Sequence, residues 1–439
     1  MNAQQVKSSI FIKLRLMFRA LQYRNFRLFF TGQIISLIGI WIQFIAMSWL
    51  VYRITDSPFW LGLVGFFSQI PALFIMPLAG VVADRYNRHR ILILTQTLAM
   101  IQALILAILV LTDSILLWHI ILLSILIGSI NAFDMPTRHA FIIHMIDNRE
   151  DISNAIALNS TMFNLARLIG PSLAGIIIAA WGEGFCFLIN SISYIAVLIS
   201  LFCMRLTSRS AKTPEHHIFQ ELKEAAIYAW EFTTIRTILL LSALMSLMGI
   251  SYQILMPIFV RDIFYQGPQV LGFLMAAAGI GALCGALFLA MRKGVLGLGH
   301  LIPIAGGLFS SGLILFSLSR IFWVSMILIL ICGFGIMVQM AACNTLLQTL
   351  VDEDKRGRLL SFYTLSFMGM MPLGSLLSGW LASHIGAPPV IFLGGTICLL
   401  GSLFFLRKLP LLSQEVQPIY EGRGIIPPVA EGIQATLRF

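Results

Sequence analysis

The chain has 439 residues, of which 58% are hydrophobic and only 11% charged, with a mean hydropathy of +0.90. About a quarter of the residues of a soluble domain are charged, so this composition excludes an ordinary water-soluble enzyme or binding module and indicates an integral membrane protein. The net charge of +10 would suggest nucleic acid in a soluble protein, but here the placement of Lys and Arg matters more than their total.

A hydrocarbon core about 30 Å thick needs roughly 20 apolar residues at 1.5 Å each. Charge-poor stretches of that length occur near 28–51, 59–82, 91–111, 115–134, 153–180 and 185–204, then near 236–260, 269–291, 300–319, 322–344, 359–382 and 388–406. The expected fold is therefore all-α, with twelve transmembrane helices. The first 25 residues are not a cleavable signal peptide, because Lys13, Arg15, Arg19 and Arg24 interrupt any apolar core. Ile10, Leu14, Met17, Phe18 and Leu21 fall on one helical face among basic residues, which suits either an amphipathic helix in the headgroup layer or a disordered basic leader.

With the amino terminus inside, 25 Lys and Arg fall in inside segments against three in outside loops, Arg53, Arg261 and Arg320, with Arg167 left within a span. Both termini are thus expected in the cytoplasm of a bacterial inner-membrane protein, and the basic excess calls for no nucleic-acid partner. Cys186, Cys203, Cys284, Cys332, Cys343 and Cys398 stand singly in apolar runs, as small packing residues and not as disulfides or metal ligands.

The polar connection from Arg205 to Arg236 divides the spans six and six, and Ile218, Leu222 and Ala225 give it one apolar face. At an offset near 204 the halves repeat. PFWLG (Pro58 to Gly62) matches PQVLG (Pro268 to Gly272), IDNRED (from Ile146) matches VDEDKR (from Val351), and GPSLAG (from Gly170) matches GSLLSG (from Gly374). The division is a leader at 1–25, a six-helix bundle at 26–205, a linker with a surface helix at 206–235, a second, pseudo-symmetric bundle at 236–408 and a tail at 409–439, which carries enough Pro and Gly to be flexible.

GVVADRYNRHR (Gly80 to Arg90) places charges between two long apolar runs. It resembles the loop signature of the major facilitator superfamily, G-x-x-x-D-R-x-x-R-R, at Gly80, Asp84, Arg85, Arg88 and Arg90, with His89 inserted. NAFDMPTRHAF (from Asn131) and LARLIGP (from Leu165) resemble stretches of that superfamily's drug- and siderophore-efflux branch, which includes the enterobactin exporter and macrolide efflux proteins. The resemblance spans roughly 20–408. It implies alternating access about a site at mid-membrane between two bundles, with Asp84 meeting the start of span eleven near Gly357 to Ser361 and Arg138 as its partner. A carboxylate at a helix amino terminus gains a few tenths to about 1 kcal/mol, and an acid adds nothing to inside anchoring. Arg85, Arg88 and Arg90 fit either a latch or an anchor. The second copy, near Gly285 to Lys293, has Leu289 in place of the acid.

Ionisable residues inside spans are costly and default to functional roles. Asp134, near the end of span four, can carry a proton or pair with Arg138 one turn on. Arg167 lies deep in span five, as a coupling charge or a structural ion-pair member, and A-x8-A-x3-G-P-x2-A-G follows the chain to Gly170, Pro171 and Gly175, which looks like a relaxed antiporter motif or simple close packing. Where many proton-driven exporters have an Arg in span four, this chain has Ser124. Span one holds no acid. The missing acid, together with Arg167 in span five, favours a neutral or anionic cargo. Gln43, Gln69, Asn131, Asn164, Tyr252, Gln253 and Gln339 are candidates to line a substrate cavity, although each also suits a helix-to-helix hydrogen bond, and Met245, Met248 and Met256 could form an adaptable wall.

The expected function is export of a small amphiphilic molecule, drug-like or siderophore-like, by a monomer coupled to a proton or other ion gradient in the lipid bilayer. No cofactor, metal site or catalytic set is expected, since no G-x-x-x-x-G-K-[ST] loop, clustered Ser, His and acid, or metal-ligand spacing occurs. The alternative is a membrane sensor or scaffold that keeps the fold without net transport.

Overall fold

The computed structural model describes residues 18–205, 230–292 and 294–425, apart from the side chains of Pro77, Val81, Asp84, Arg149, Glu353, Asp354 and Arg358. The leader face at Ile10, Leu14 and Met17, the linker face at Ile218, Leu222 and Ala225, the tail beyond 425, Lys293 and the side chain of Asp84 lie outside the described residues.

Twelve helices among the described residues are long and apolar enough to cross a membrane, and no strand occurs among those residues. They are α1 (Arg24–Thr55), α2 (Pro58–Arg85), α3 (Arg88–Leu111), α4 (Leu117–His144), α5 (Ile152–Trp181) and α6 (Glu183–Phe202). After the linker come α7 (Thr233–Ile263), α8 (Pro268–Ala290), α9 (Leu298–Leu318) and α10 (Phe322–Leu350), then α11 in two pieces, Glu353–Met368 and Met370–Ile385, and α12 (Ala387–Gly422). Exposed Phe74, Leu78, Ile108 and Ile199 suit hydrocarbon, not water. Trp118, Trp181 and Trp323, all exposed, mark helix ends at headgroup depth.

Two helices outrun their apolar stretches. The apolar run of span four stops at Asp134, yet α4 continues to His144, because Asp134 and Arg138 pair across one turn and satisfy each other within the helix. The apolar run of span twelve stops at 406, yet α12 continues to Gly422 through part of the expected tail. At 36 residues it is about 54 Å long, well beyond the hydrocarbon thickness. Leu409, Leu412, Val416 and Tyr420, spaced three and four apart, bury one face of that extension. The turns into α6 and α12 each pass through a glycine at positive φ, Gly182 (86°) and Gly386 (83°), a conformation that costs other residues strain.

Contacts divide the chain into two units, Met1–Leu50 with Ile70–Pro214, and Val51–Gln69 with Glu215–Phe439. In the first, α3 packs on α6 and α4. Its core gathers Phe26, Leu37, Leu92, Phe141, Ala166 and Leu201. The end where α1 begins, the proximal end, is tied down by polar contacts around Asp151. Arg19 pairs with it, Tyr23 donates its hydroxyl at 2.7 Å and Gln22 its amide at 3.2 Å. That carboxylate raises the Tyr23 phenol above its usual pKa by accepting its proton in a hydrogen bond.

In the second unit α10 packs on α8 and α9, and α9 on α12. The end of this unit where α7 begins is tied by the α12 extension. The Glu415 carboxylate accepts from the backbone N–H of Thr233 (3.0 Å) and Thr234 (2.8 Å) and from the Thr234 hydroxyl (2.7 Å), so it caps the start of α7. Arg423 donates to the Val351 carbonyl at 2.9 Å, in the loop before α11.

Candidate functional site

The stretch Gly80 to Arg90 is a corner between α2 and α3. Asn87 makes the turn possible, since its side-chain oxygen accepts from the N–H groups of His89 (3.0 Å) and Arg90 (3.4 Å) and caps α3. Arg88 donates to the Ala83 carbonyl at 3.0 Å and lies 3.3 Å from a ring nitrogen of His144 on α4. The inserted His89 stacks on Phe141, with centroids 5.9 Å apart, and bonds the Leu201 carbonyl at 2.9 Å. Arg85 and Arg90 are exposed, and a Cβ on Gly80 would meet nothing within 4 Å. Sequence reasoning missed Asn87 and saw His89 only as an insertion, although an Asn just before an apolar run is a legible cap signal.

A buried ionisable contact of the first unit joins α3 and α4. Asp134, 2% exposed, pairs with Arg138 and accepts from Thr95 Oγ1 (3.0 Å) and Gln96 Nε2 (2.7 Å). Arg138 thus sits with the acid on its own helix. Arg167 of α5 lies over the Trp41 ring of α1, 5.9 Å from its centroid. Gly170, one turn on, brings the two helices together: a Cβ there would run into the Trp41 side chain and come within 3.0 Å of the Ile38 carbonyl. Pro171 and Gly175 are buried behind it.

The remaining polar candidates are dispersed. Gln43 is buried in an amide chain, donating to Gln102 (3.2 Å) and accepting from Asn190 (2.7 Å), so it links α1, α3 and α6. Gln69 and Asn164 donate to carbonyls one turn back, Gly65 (3.3 Å) and Ser160 (2.9 Å). Asn131 is exposed and Gln253 half-buried. Gln339 is buried, and its Oε1 has no partner. Tyr252 stands edge-on to Phe309 at 6.4 Å and lines a small cavity with Met248, Gly249, Leu313, Ser378 and Ile391.

That cavity lies beside an irregular stretch of α7, which is π-helical over Met245–Ile250 and again over Phe259–Ile263. Such segments interrupt the regular ladder and recur at functional sites. Ser246, in the first of them, donates to the Phe367 carbonyl just before α11 breaks at Gly369.

A further cluster, at the opposite end of the second unit from the Glu415 cap, escaped sequence reasoning. Arg261 pairs with Asp56 at 3.0 Å, donates to the Tyr52 carbonyl at 3.4 Å and lies 5.2 Å from the centroid of the Tyr52 ring. The Tyr52 hydroxyl donates to Asp262. Close by in sequence, Gly62 meets Gly379 of α11 backbone to backbone, and a Cβ on Gly62 would lie 2.8 Å from Gly379 Cα. The available signal was Arg261 itself, one of three basic residues expected outside. Among the described residues no group of His, Cys, Asp and Glu could hold a metal ion.

Residues 17–425 match the model of the transmembrane secretion effector family. The chain belongs to that family. Its membership bears out the resemblance to the efflux branch of the major facilitator superfamily. Among curated relatives, the staphyloferrin A transporter of Staphylococcus aureus is 29% identical over 88% of this chain and 98% of its own length. The enterobactin exporter of Citrobacter koseri is 23% identical over 93% and 95%, and macrolide efflux protein A of Streptococcus pyogenes 21% over 86% and 95%. The fold is shared with a bacterial homologue of the human lysosomal transporter Spinster (TM-score 0.69, 16% identity, 90% of this chain and 98% of that one). It is shared equally with a D-xylose–proton symporter (TM-score 0.68, 15% identity, 86% and 97%). The twelve-helix transporter fold expected from the sequence is therefore the one found.

Proposed function

We propose that this transmembrane secretion effector is a secondary active exporter, working as a monomer in the bacterial inner membrane with both termini in the cytoplasm. It moves a small amphiphilic molecule, drug-like or siderophore-like and neutral or anionic, by alternating access coupled to a proton gradient. The observation that carries this reading is the cluster joining Asp56 and Tyr52 to Arg261 and Asp262. It sits in segments the positive-inside rule places outside, and it ties the α1–α2 turn to α7 through ionic and hydrogen-bonded contacts. The exposed Arg261–Asp56 pair breaks and re-forms at low cost, as a gate on the outer face requires.

On the inner face Asp84 serves as the latch, with Gly80 and the neighbouring Arg85, Arg88 and Arg90 around it, acting toward the start of α11. The cargo charge follows from the balance of ionisable groups. Arg167 lies beside Trp41 within the span, and span one, where exporters of lipophilic cations usually hold an acid, has none. Names of relatives that carry staphyloferrin A, enterobactin or macrolides support an amphiphile in the same classes. The reading has no place for catalysis.

The test is comparative metabolite profiling of culture supernatants with and without the protein, in iron-replete and iron-poor growth. A compound depleted outside and accumulated inside cells lacking the protein is expected; identical profiles in both media would refute export. The second reading, a sensor or scaffold, is favoured by one observation, that Asp134 already has three side-chain partners. It requires a phenotype without flux.

A further inference from the structure

Trp41 of α1 gathers two phenyl rings and a guanidinium. The Phe44 ring, about one turn on along α1, stands edge-on to the indole with centroids 5.6 Å apart, and the Phe163 ring of α5 stands edge-on to it at 5.9 Å. Arg167, one turn on from Phe163, lies 5.9 Å from the centroid of the same indole. Phe163, Arg167 and Gly170 share one face of α5 by their spacing of four and three. Gly170 lets that face reach α1 at Ile38 and Trp41, so the group is assembled by the close approach of the two helices.

The group is deep, and part of it is open. Arg167 is about 22 Å along α5, near the middle of its 30 residues. Phe44 and Phe163 are each 41% exposed. Exposed phenyl rings in a span ordinarily meet lipid, but a charge facing hydrocarbon at that depth is costly and turns to protein or to water. The face of α5 that carries Phe163 with Arg167 is therefore turned from the acyl chains, and Phe44 reaches the same indole.

The chemistry of these side chains selects the ligand. Phenyl rings attract another flat ring beyond what the buried area alone supplies. A guanidinium offers planar N–H donors that match the oxygens of an organic anion. Neither α1 nor α5 contains an Asp or a Glu, so the formal charge these two helices bring to this level is positive. An aliphatic acid leaves the rings unused, a neutral ring leaves the guanidinium unused, and a cation is repelled.

We propose that Phe44, Phe163 and Arg167, held together by Trp41, are a recognition site for a planar aromatic acid, whose ring lies against the phenyl rings while its anionic oxygens accept from the guanidinium. The inference rests on the export reading above and narrows its cargo to amphiphiles whose apolar part is a flat ring. Trp41 acts as the positioning residue, because both rings and the guanidinium meet it.

The test is binding of 1-naphthoate to the purified full-length protein in lipid nanodiscs, read by calorimetric titration against empty nanodiscs. The comparison probes are 1-naphthamide, which has the ring without the charge, and cyclohexanecarboxylate, which has the charge without a flat ring. Wild type is expected to bind 1-naphthoate about tenfold more tightly than either. Arg167→Gln is expected to weaken 1-naphthoate about tenfold and to leave 1-naphthamide unchanged. The double variant Phe44→Leu, Phe163→Leu, which keeps the charge, is expected to weaken both aromatic probes about threefold or more and to leave cyclohexanecarboxylate unchanged. No binding of 1-naphthoate above the blank would overturn the site, as would an equal affinity for 1-naphthoate in wild type and either variant. Should Arg167→Gln fail to fold, the double variant, whose changes fall on exposed rings, decides alone, and an undiminished preference for 1-naphthoate over cyclohexanecarboxylate there counts against the site. No flux enters this titration, so a refuted site and refuted export are told apart.

Discussion

Gly62 on α2 and Gly379 on α11 touch through their backbones, and a Cβ on Gly379 would stand 2.6 Å from Gly62 Cα and 2.7 Å from the Pro58 carbonyl. No side chain larger than hydrogen fits that space, so the approach of the two helices depends on both glycines. Gly379→Leu is expected to force them apart. Spin labels at Ile54 and Ser383, with distances read by pulsed electron resonance, should shift to longer separations in that variant. An unchanged distribution would mean that α11 yields elsewhere.

The cluster at Arg261 ranks its own members. The Arg261–Asp56 pair is 41% and 70% exposed on its two sides, so Asp56→Asn should cost no more than about 1 kcal/mol. The Tyr52 side chain is buried and donates to a carboxylate, and a bond of that kind contributes about 1.5–3 kcal/mol. Tyr52→Phe is therefore expected to lower the thermal unfolding temperature of the detergent-purified protein more than Asp56→Asn does. The reverse order would contradict the geometry.

Glu415 tests the α12 extension. Loss of a helix cap costs about 0.5–2 kcal/mol, so Glu415→Gln should loosen the start of α7, whose π-helical middle already lacks a regular ladder. Amide hydrogen exchange at 233–244 is expected to rise in this variant. It should stay unchanged in Glu421→Gln, whose carboxylate bonds Gln417 on its own helix.

The fold was legible because the bilayer imposes one strong rule, about 20 apolar residues per span, and each expected stretch overlaps a helix of the structure. Helix ends were less legible where polar residues satisfy each other inside the helix, as Asp134 does with Arg138. The extension of α12 was hidden because Pro410 and Pro418 read as breakers, whereas its buried face and the Glu415 bonds hold it helical.

Site residues were harder, for a physical reason. A polar residue in a span looks the same in sequence whether its partner is a ligand or another helix. Gln43 was singled out, but Gln102 and Asn190, which consume its amide, lie 59 and 147 residues away. Gln33 and Ser36 of span one carry no motif that singles them out, and that Gln33 Nε2 and Ser36 Oγ are buried without a partner is visible only in the packed bundle.

Arg167 bears on the cargo. Its guanidinium is near Trp41, and Gly170 keeps α1 and α5 close. Arg167→Ala is expected to abolish efflux of an anionic compound, and Arg167→Lys to retain part of it, since charge survives while the planar stacking does not. Normal efflux of the anion by Arg167→Ala would contradict the assignment of cargo charge.

The most direct test is uptake of the compound identified in supernatants by everted membrane vesicles, energised to build a proton gradient. Vesicles containing the protein should accumulate it, an uncoupler should collapse the accumulation, and Asp84→Asn should reduce it sharply while the variant still inserts in normal amount. Equal accumulation in vesicles with and without the protein would contradict export itself.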